Sequence, residues 1–142
     1  MSYLLDTNVV SEMVKLQPDA NVLRWLAEAD EDGVWLSAIT FAEIRLGVER
    51  MAPGRRRTEL AAWLENDLPE RFEGRIIGIG VIVAEAWGKT VARSARIGKA
   101  VSAMDAFLAA IAQVRGLTLV TRNTRDFEAL GIAVLNPWTK VH

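Results

Sequence analysis

Apolar residues along this chain fall into two spacings, and the way the spacings alternate predicts a series of short strands and longer helices. Tyr3-Leu4-Leu5 is a brief apolar run that ends on Asp6, as a buried strand emerging from a sheet would. Val9, Val10, Met13 and Val14 then recur at helical spacing until Gln17-Pro18-Asp19 breaks the pattern. Val22, Leu23, Trp25, Leu26 and Ala29 make the stripe of a second helix, stopped by the polar residues 30–33. Val34-Trp35-Leu36-Ser37 is apolar and β-prone, hence a second strand. Thr40-Phe41-Ala42-Glu43 has capping-box spacing and opens a helix through Ile44, Leu46 and Val48, which Pro53-Gly54 ends. Arg55-Arg56-Arg57 starts a helix with Leu60, Trp63 and Leu64 turned inward. A polar loop is expected over 69–74, then a third strand over 75–79.

The second half repeats the alternation. Val83, Trp87 and Val91 space a helix over 81–96, interrupted at Gly98-Lys99. Ser102-Ala103-Met104-Asp105 has the capping-box spacing again and leads into Phe107, Leu108, Ile111, Ala112 and Val114, a helix apolar enough for the centre of the fold. Gly116 supplies the left-handed stop. Residues 117–121 make the fourth strand, 123–130 a short helix and 132–135 a terminal edge strand. Strands separated by helices argue for an α/β fold with a parallel sheet covered on both faces. Trp25, Trp35, Trp63 and Trp87 fall at apolar positions and are expected in the core, while Trp138 is expected against the edge strand or at a dimer contact.

Composition narrows the chemistry. The 142 residues suit one domain over 1–142, long enough to bury a core without a covalent staple. There is no cysteine, which removes disulfides, iron–sulfur sites and thiolate zinc sites. The sole histidine is His142, the last residue, so catalysis has to run on carboxylates, amides and hydroxyls. No signal peptide or membrane-spanning apolar run is visible, and a soluble cytoplasmic protein without membrane contact is the expectation. With 17 basic and 18 acidic residues, net charge −1, nucleic-acid contact has to come from local patches or a metal.

Four acids stand at strand-to-helix junctions: Asp6 after the first strand, Glu43 after the second, Asp105 before the fourth and Asp126 after it. A parallel sheet gathers these junctions on one edge, where ligands bind in open α/β folds. Carboxylates brought together raise one another's pKa unless a cation neutralises them. Hard oxygen donors with no His or Cys point to Mg²⁺ or Mn²⁺ and to phosphodiester hydrolysis by a metal-activated water. The structural alternative is that Thr40…Glu43, Ser102…Asp105 and Asn123…Asp126, all of one spacing, are simply helix caps.

At four places the chain resembles PIN-domain ribonucleases. The stretches are Leu4-Leu5-Asp6-Thr7-Asn8-Val9-Val10-Ser11-Glu12, Ser37-Ala38-Ile39-Thr40-Phe41-Ala42-Glu43-Ile44-Arg45-Leu46-Gly47, Ala103-Met104-Asp105-Ala106-Phe107-Leu108-Ala109-Ala110-Ile111-Ala112 and Val120-Thr121-Arg122-Asn123-Thr124-Arg125-Asp126-Phe127. They resemble, in order, the signatures of the VapC toxins, and Leu135-Asn136-Pro137-Trp138 is similar to the ending of the FitB-like branch. The resemblance implies an α/β/α sandwich with a mainly parallel sheet of four to five strands. It also implies Mg²⁺- or Mn²⁺-dependent endonuclease action on RNA, such as tRNA or other structured RNA. The implied partners are a second copy of the chain and a VapB-like antitoxin, in a dimer or a larger toxin–antitoxin complex. By position it makes Asp6 and Asp105 the metal ligands and Glu43 the third acid. Asp126 is the fourth, standing slightly downstream of Asn123, where some members carry an acid.

Thr7, Asn8, Thr121 and Asn123 are supporting candidates beside the acids, and Arg93, Arg96, Lys99, Arg122 and Arg125 are candidates for holding RNA phosphates. Two other readings stand beside the nuclease: a PIN-like module that binds RNA or protein without cutting, and a phosphatase with an aspartate after its first strand. The second usually asks for Asp-x-Asp, and Asn8 occupies the second position.

Overall fold

A computed structural model describes residues 1–139, so the expectation for His142 lies outside the described residues. Five strands form one sheet in the order β3-β2-β1-β4-β5, every pair parallel. They are β1 (Tyr3–Leu5), β2 (Val34–Ser37), β3 (Ile76–Ile77), β4 (Thr118–Val120) and β5 (Val134–Leu135). In register, Leu4 faces Trp35 on one side and Leu119 on the other.

Successive side chains of a strand point to opposite faces, and this chain uses both. Leu4 and Leu119 enter one core with Leu108, Ile111 and Phe127, while their neighbours Leu5 and Val120 enter the other with Val9, Val10, Val22, Leu64 and Phe72. Continuous apolar runs are what strands covered on both faces require. The helices α1 (Thr7–Glu12), α2 (Ala20–Glu28), α3 (Ala38–Arg50), α4 (Arg55–Ala62) and α5 (Leu68–Arg71) belong to the first half; α6 (Val81–Arg96), α7 (Ala103–Arg115) and α8 (Thr124–Glu128) belong to the second. The expected α/β/α sandwich is observed. No helix among the described residues is long and apolar enough to cross a membrane.

Four local expectations are corrected. The loop expected over 69–74 is helical up to Arg71: α4 runs through a π-turn, Trp63–Asp67, into α5. Pro69 has no N–H and crowds the carbonyl four residues back. The widened turn ahead of it, in which the Leu68 N–H donates to the Trp63 carbonyl, accommodates it. Second, α3 begins at Ala38 with Ser37 as its cap, so Thr40 and Glu43 are not a capping box. Third, Asn123 precedes α8 without any side-chain capping bond. Fourth, Trp25, Trp35, Trp63 and Trp87 are only partly buried and pack against the margins of the two cores, because an indole is large enough that part of it stays at the surface. Ser102 does cap α7, accepting from the Asp105 N–H, and Gly116 ends that helix at φ 64.

Phe127 is fully buried between the sheet and α7's apolar side. Phe127→Ala is expected to lower unfolding stability by about 3–5 kcal/mol, measured by urea titration; a loss below 1 kcal/mol would show that the site collapses around the void.

Candidate active site

In a parallel sheet all strands end on the same edge. Asp6 follows β1, Ser37 ends β2 and Thr121 follows β4, and these three strands are neighbours. The start of α7, which returns the chain to β4, comes to this edge as well and brings Asp105 there.

Asp6 prolongs the ladder, its N–H donating to the Val120 carbonyl at 2.9 Å, and then turns the chain into α1 as its N-cap. The residue is 5% exposed. One carboxylate oxygen accepts from the Thr7 N–H at 2.6 Å; the other accepts from the Thr121 hydroxyl at 2.7 Å and from Asn8 Nδ2 at 3.4 Å. Burial pushes this carboxyl up from its ordinary 3.8 to about 6. The Thr121 and Thr7 bonds pull it down, and the charges of Asp105 and Glu43 push it further up.

Asp105, half-buried, is also raised, first by burial, then by Glu43 and Asp126. All four acids therefore lie on one rim, with Asp105 within electrostatic reach of each of the others. Freed from capping, Glu43 accepts the Thr7 hydroxyl on Oε1 at 2.6 Å, and Thr7 Oγ1 in turn lies 3.1 Å from Thr40 Oγ1. Thr40 is fully buried, and its part in this chain of hydroxyls was hidden in the sequence behind its resemblance to a cap. Asp126, half exposed, pairs with Lys99 at 3.3 Å. Asn123 donates its backbone N–H to Thr121 Oγ1 at 3.0 Å.

Among the described residues no three acidic or imidazole side chains close tightly enough to cage an ion by themselves. The donor set nevertheless fits a hard divalent cation. It is all oxygen, Asp6 and Asp105 are held above their ordinary pKa by burial and by the charges of neighbouring acids, and the buried Asn8 Oδ1 beside Asp6 has no hydrogen-bond partner. Mg²⁺ keeps several waters and asks for only one or two direct carboxylates, so a complete cage is not needed.

The candidate cations divide. Lys99 reaches the rim through Asp126. Arg122 and Arg125 are exposed at the start of α8, with the Arg122 guanidinium 5.2 Å above the Trp138 ring. Arg96 is exposed at the end of α6, whereas half-buried Arg93 donates to the Leu130 carbonyl at 3.0 Å and ties α6 to the turn after α8. Trp138 packs on the core flanking β5, its carbonyl accepting from Asn21.

The sequence pattern of the PIN domain matches residues 3–133. The chain is a PIN-domain protein. VapC ribonuclease Y4jK of Sinorhizobium fredii is 36% identical over 95% of this PIN domain protein and 96% of its own length. Toxin FitB of Neisseria gonorrhoeae is 40% identical over 95% of this chain and 97% of its own. The solved structure of FitAB bound to an IR36 DNA fragment superposes with a TM-score of 0.92 at 38% identity, covering 99% of this chain and 98% of that one. The sequence-based resemblance to PIN domains, and its FitB-like shading, are thereby borne out.

Because the folded protein holds Asp6 near 6, it binds that proton between about pH 4 and pH 6 where the unfolded chain does not. Its stability therefore falls as pH rises through this window. In metal-free protein at pH 7.5, Asp6→Asn is expected to be stabilising by about 3 kcal/mol, with the advantage shrinking toward pH 4. Denaturant titrations across that range check this; a difference independent of pH would remove the buried-charge account.

Proposed function

We propose that this protein is a divalent-metal-dependent endoribonuclease, the toxin of a toxin–antitoxin pair, acting in the cytoplasm as one PIN domain over 1–142. The observation that carries the reading is the convergence of Asp6, Glu43 and Asp105 on one sheet edge, with burial and repulsion raising Asp6 and Asp105. The names VapC ribonuclease and toxin FitB, borne by relatives that match almost end to end, support the same class of activity.

Asp6 and Asp105 are the residues that would hold Mg²⁺ or Mn²⁺. When bound, the ion supplies Lewis-acid chemistry, acidifying water and offsetting charge that develops on the phosphodiester. The chain's own residues do the rest. Thr121 and the Thr7 N–H fix both oxygens of Asp6. Glu43 keeps Oε2 to accept a proton from the attacking water while Oε1 is held by Thr7. Water oxygen bonds to phosphorus as its proton passes to Glu43, the bond from phosphorus to a ribose oxygen breaks, and that oxygen takes a proton from solvent water. Lys99, Arg96, Arg122 and Arg125 offer positive charge for the flanking phosphates. Asp126, paired with Lys99, keeps that lysine at the rim, and Asn123 serves the loop through its backbone.

Two surfaces support the partners. Ile79, Val81 and Ile82 are exposed by 40, 76 and 71% beside the free edge of β3, an apolar face suited to a second copy of the chain. A groove of about 330 Å³ leads from Thr7 and Glu43 past Ile44, Met51 and Trp63 to Lys15 and Arg56, and suits an apolar antitoxin segment.

RNA cleavage is expected to need Mg²⁺ or Mn²⁺, to stop with EDTA, and to fall at least about 100-fold in Asp6→Asn and in Asp105→Asn with unchanged circular dichroism. Cleavage persisting in both variants would refute the assignment and leave a binding module. For the surface, the double substitution Val81→Asp and Ile82→Asp is expected to turn a dimer into a monomer by light scattering; an unchanged mass would place the contact elsewhere.

A further inference from the structure

Helical threonines commonly return their hydroxyl proton to the carbonyl four residues back. Thr58 and Thr90 do so, donating to the Gly54 and Ala86 carbonyls at 3.1 and 2.8 Å. Thr40, in the first turn of α3, has no carbonyl of its own helix four residues back, and its hydroxyl lies 3.1 Å from that of Thr7, across the gap between α3 and α1. Thr40 is not needed as a cap either, since Ser37 caps α3 and accepts the Thr40 N–H at 3.4 Å.

A count of protons sets the direction of this contact. A hydroxyl has one proton to give. Glu43 Oε1, 2.6 Å from Thr7 Oγ1, is an acceptor and takes the Thr7 proton. Thr7 can then only accept from Thr40. Thr40 is fully buried, so no bulk water competes for its proton.

We propose that Thr40 is a positioning residue for Glu43, acting through Thr7: the relay Thr40→Thr7→Glu43 orients the carboxylate that faces the reacting phosphodiester. This rests on the ribonuclease reading of the rim. The relay links the first and second acid-bearing motifs, 33 and 36 residues apart, by hydroxyl groups alone. It leaves Oε2 of Glu43 as the oxygen free for water. The same device recurs once on the other side of Asp6, where buried Thr121 donates to Asp6 Oδ2 and accepts the Asn123 N–H.

The test compares wild type with Thr40→Val, which keeps shape and removes the donor, and Thr40→Ser, which restores it. Two readouts are used: kcat and KM for RNA cleavage with Mn²⁺, and the ¹³C carboxylate resonance of Glu43 in metal-free protein. Thr40→Val is expected to lower kcat by about 10–100-fold with little change in KM and to move the Glu43 resonance; Thr40→Ser returns both toward wild type. Wild-type kcat and an unmoved resonance in Thr40→Val would overturn the relay, as would a loss that Thr40→Ser fails to restore. Should Thr40→Val not fold, Thr40→Ala makes the same comparison with a small void in place of the methyl. If the wild type cleaves no RNA, the functional reading fails, and the Glu43 resonance still decides the relay.

Discussion

Asp6 carries a carboxylate into a place almost closed to water, and its partners there are an amide N–H, a hydroxyl and a side-chain amide rather than a cation. Three neutral donors do not repay the lost hydration, and the further acids Glu43 and Asp105 add repulsion, so burial wins and the group titrates near 6. A protein keeps so costly an arrangement where charge is to be met by something else. Everything around Asp6 holds it still: the ladder bond to Val120 behind it, the turn into α1 ahead, and Thr121 at its side.

The sheet makes this possible because β1 lies in its middle. With β2 on one side and β4 on the other, the residues just beyond three strand ends become neighbours although they are far apart in the chain. Leu4 and Leu5, one on each face, lock the central strand into both cores. Any slip of register would move both leucines and displace the carboxylate with them.

Much of this could be read from the letters. Each strand and helix that the apolar spacing predicts is present, the third and fifth strands shortened to Ile76–Ile77 and Val134–Leu135, since burial on two faces leaves a strong imprint on short strands, and all four acids come to one rim. What the letters do not show is local and depends on competition. The pattern Thr40-x-x-Glu43 satisfied a capping rule on paper, but Ser37, three residues earlier and at the end of β2, was the better placed oxygen. The helical stretch around Pro69 was hidden because proline reads as a breaker unless the turn before it can widen, and nothing in the letters announces a π-turn. Hydrophobicity alone places the tryptophans in the core, whereas their size decides where they fit.

The bond from Thr121 to Asp6 joins residues 115 positions apart, and Asp105 belongs to the same rim. On the ribosome Asp6 is made about a hundred residues before Asp105 and Thr121. A chain growing from its amino end thus carries Asp6 without the Thr121 hydroxyl and without Asp105. Whatever chemistry the finished rim performs is withheld from the translating polypeptide, and from prematurely terminated products, until β4 has slotted in beside β1.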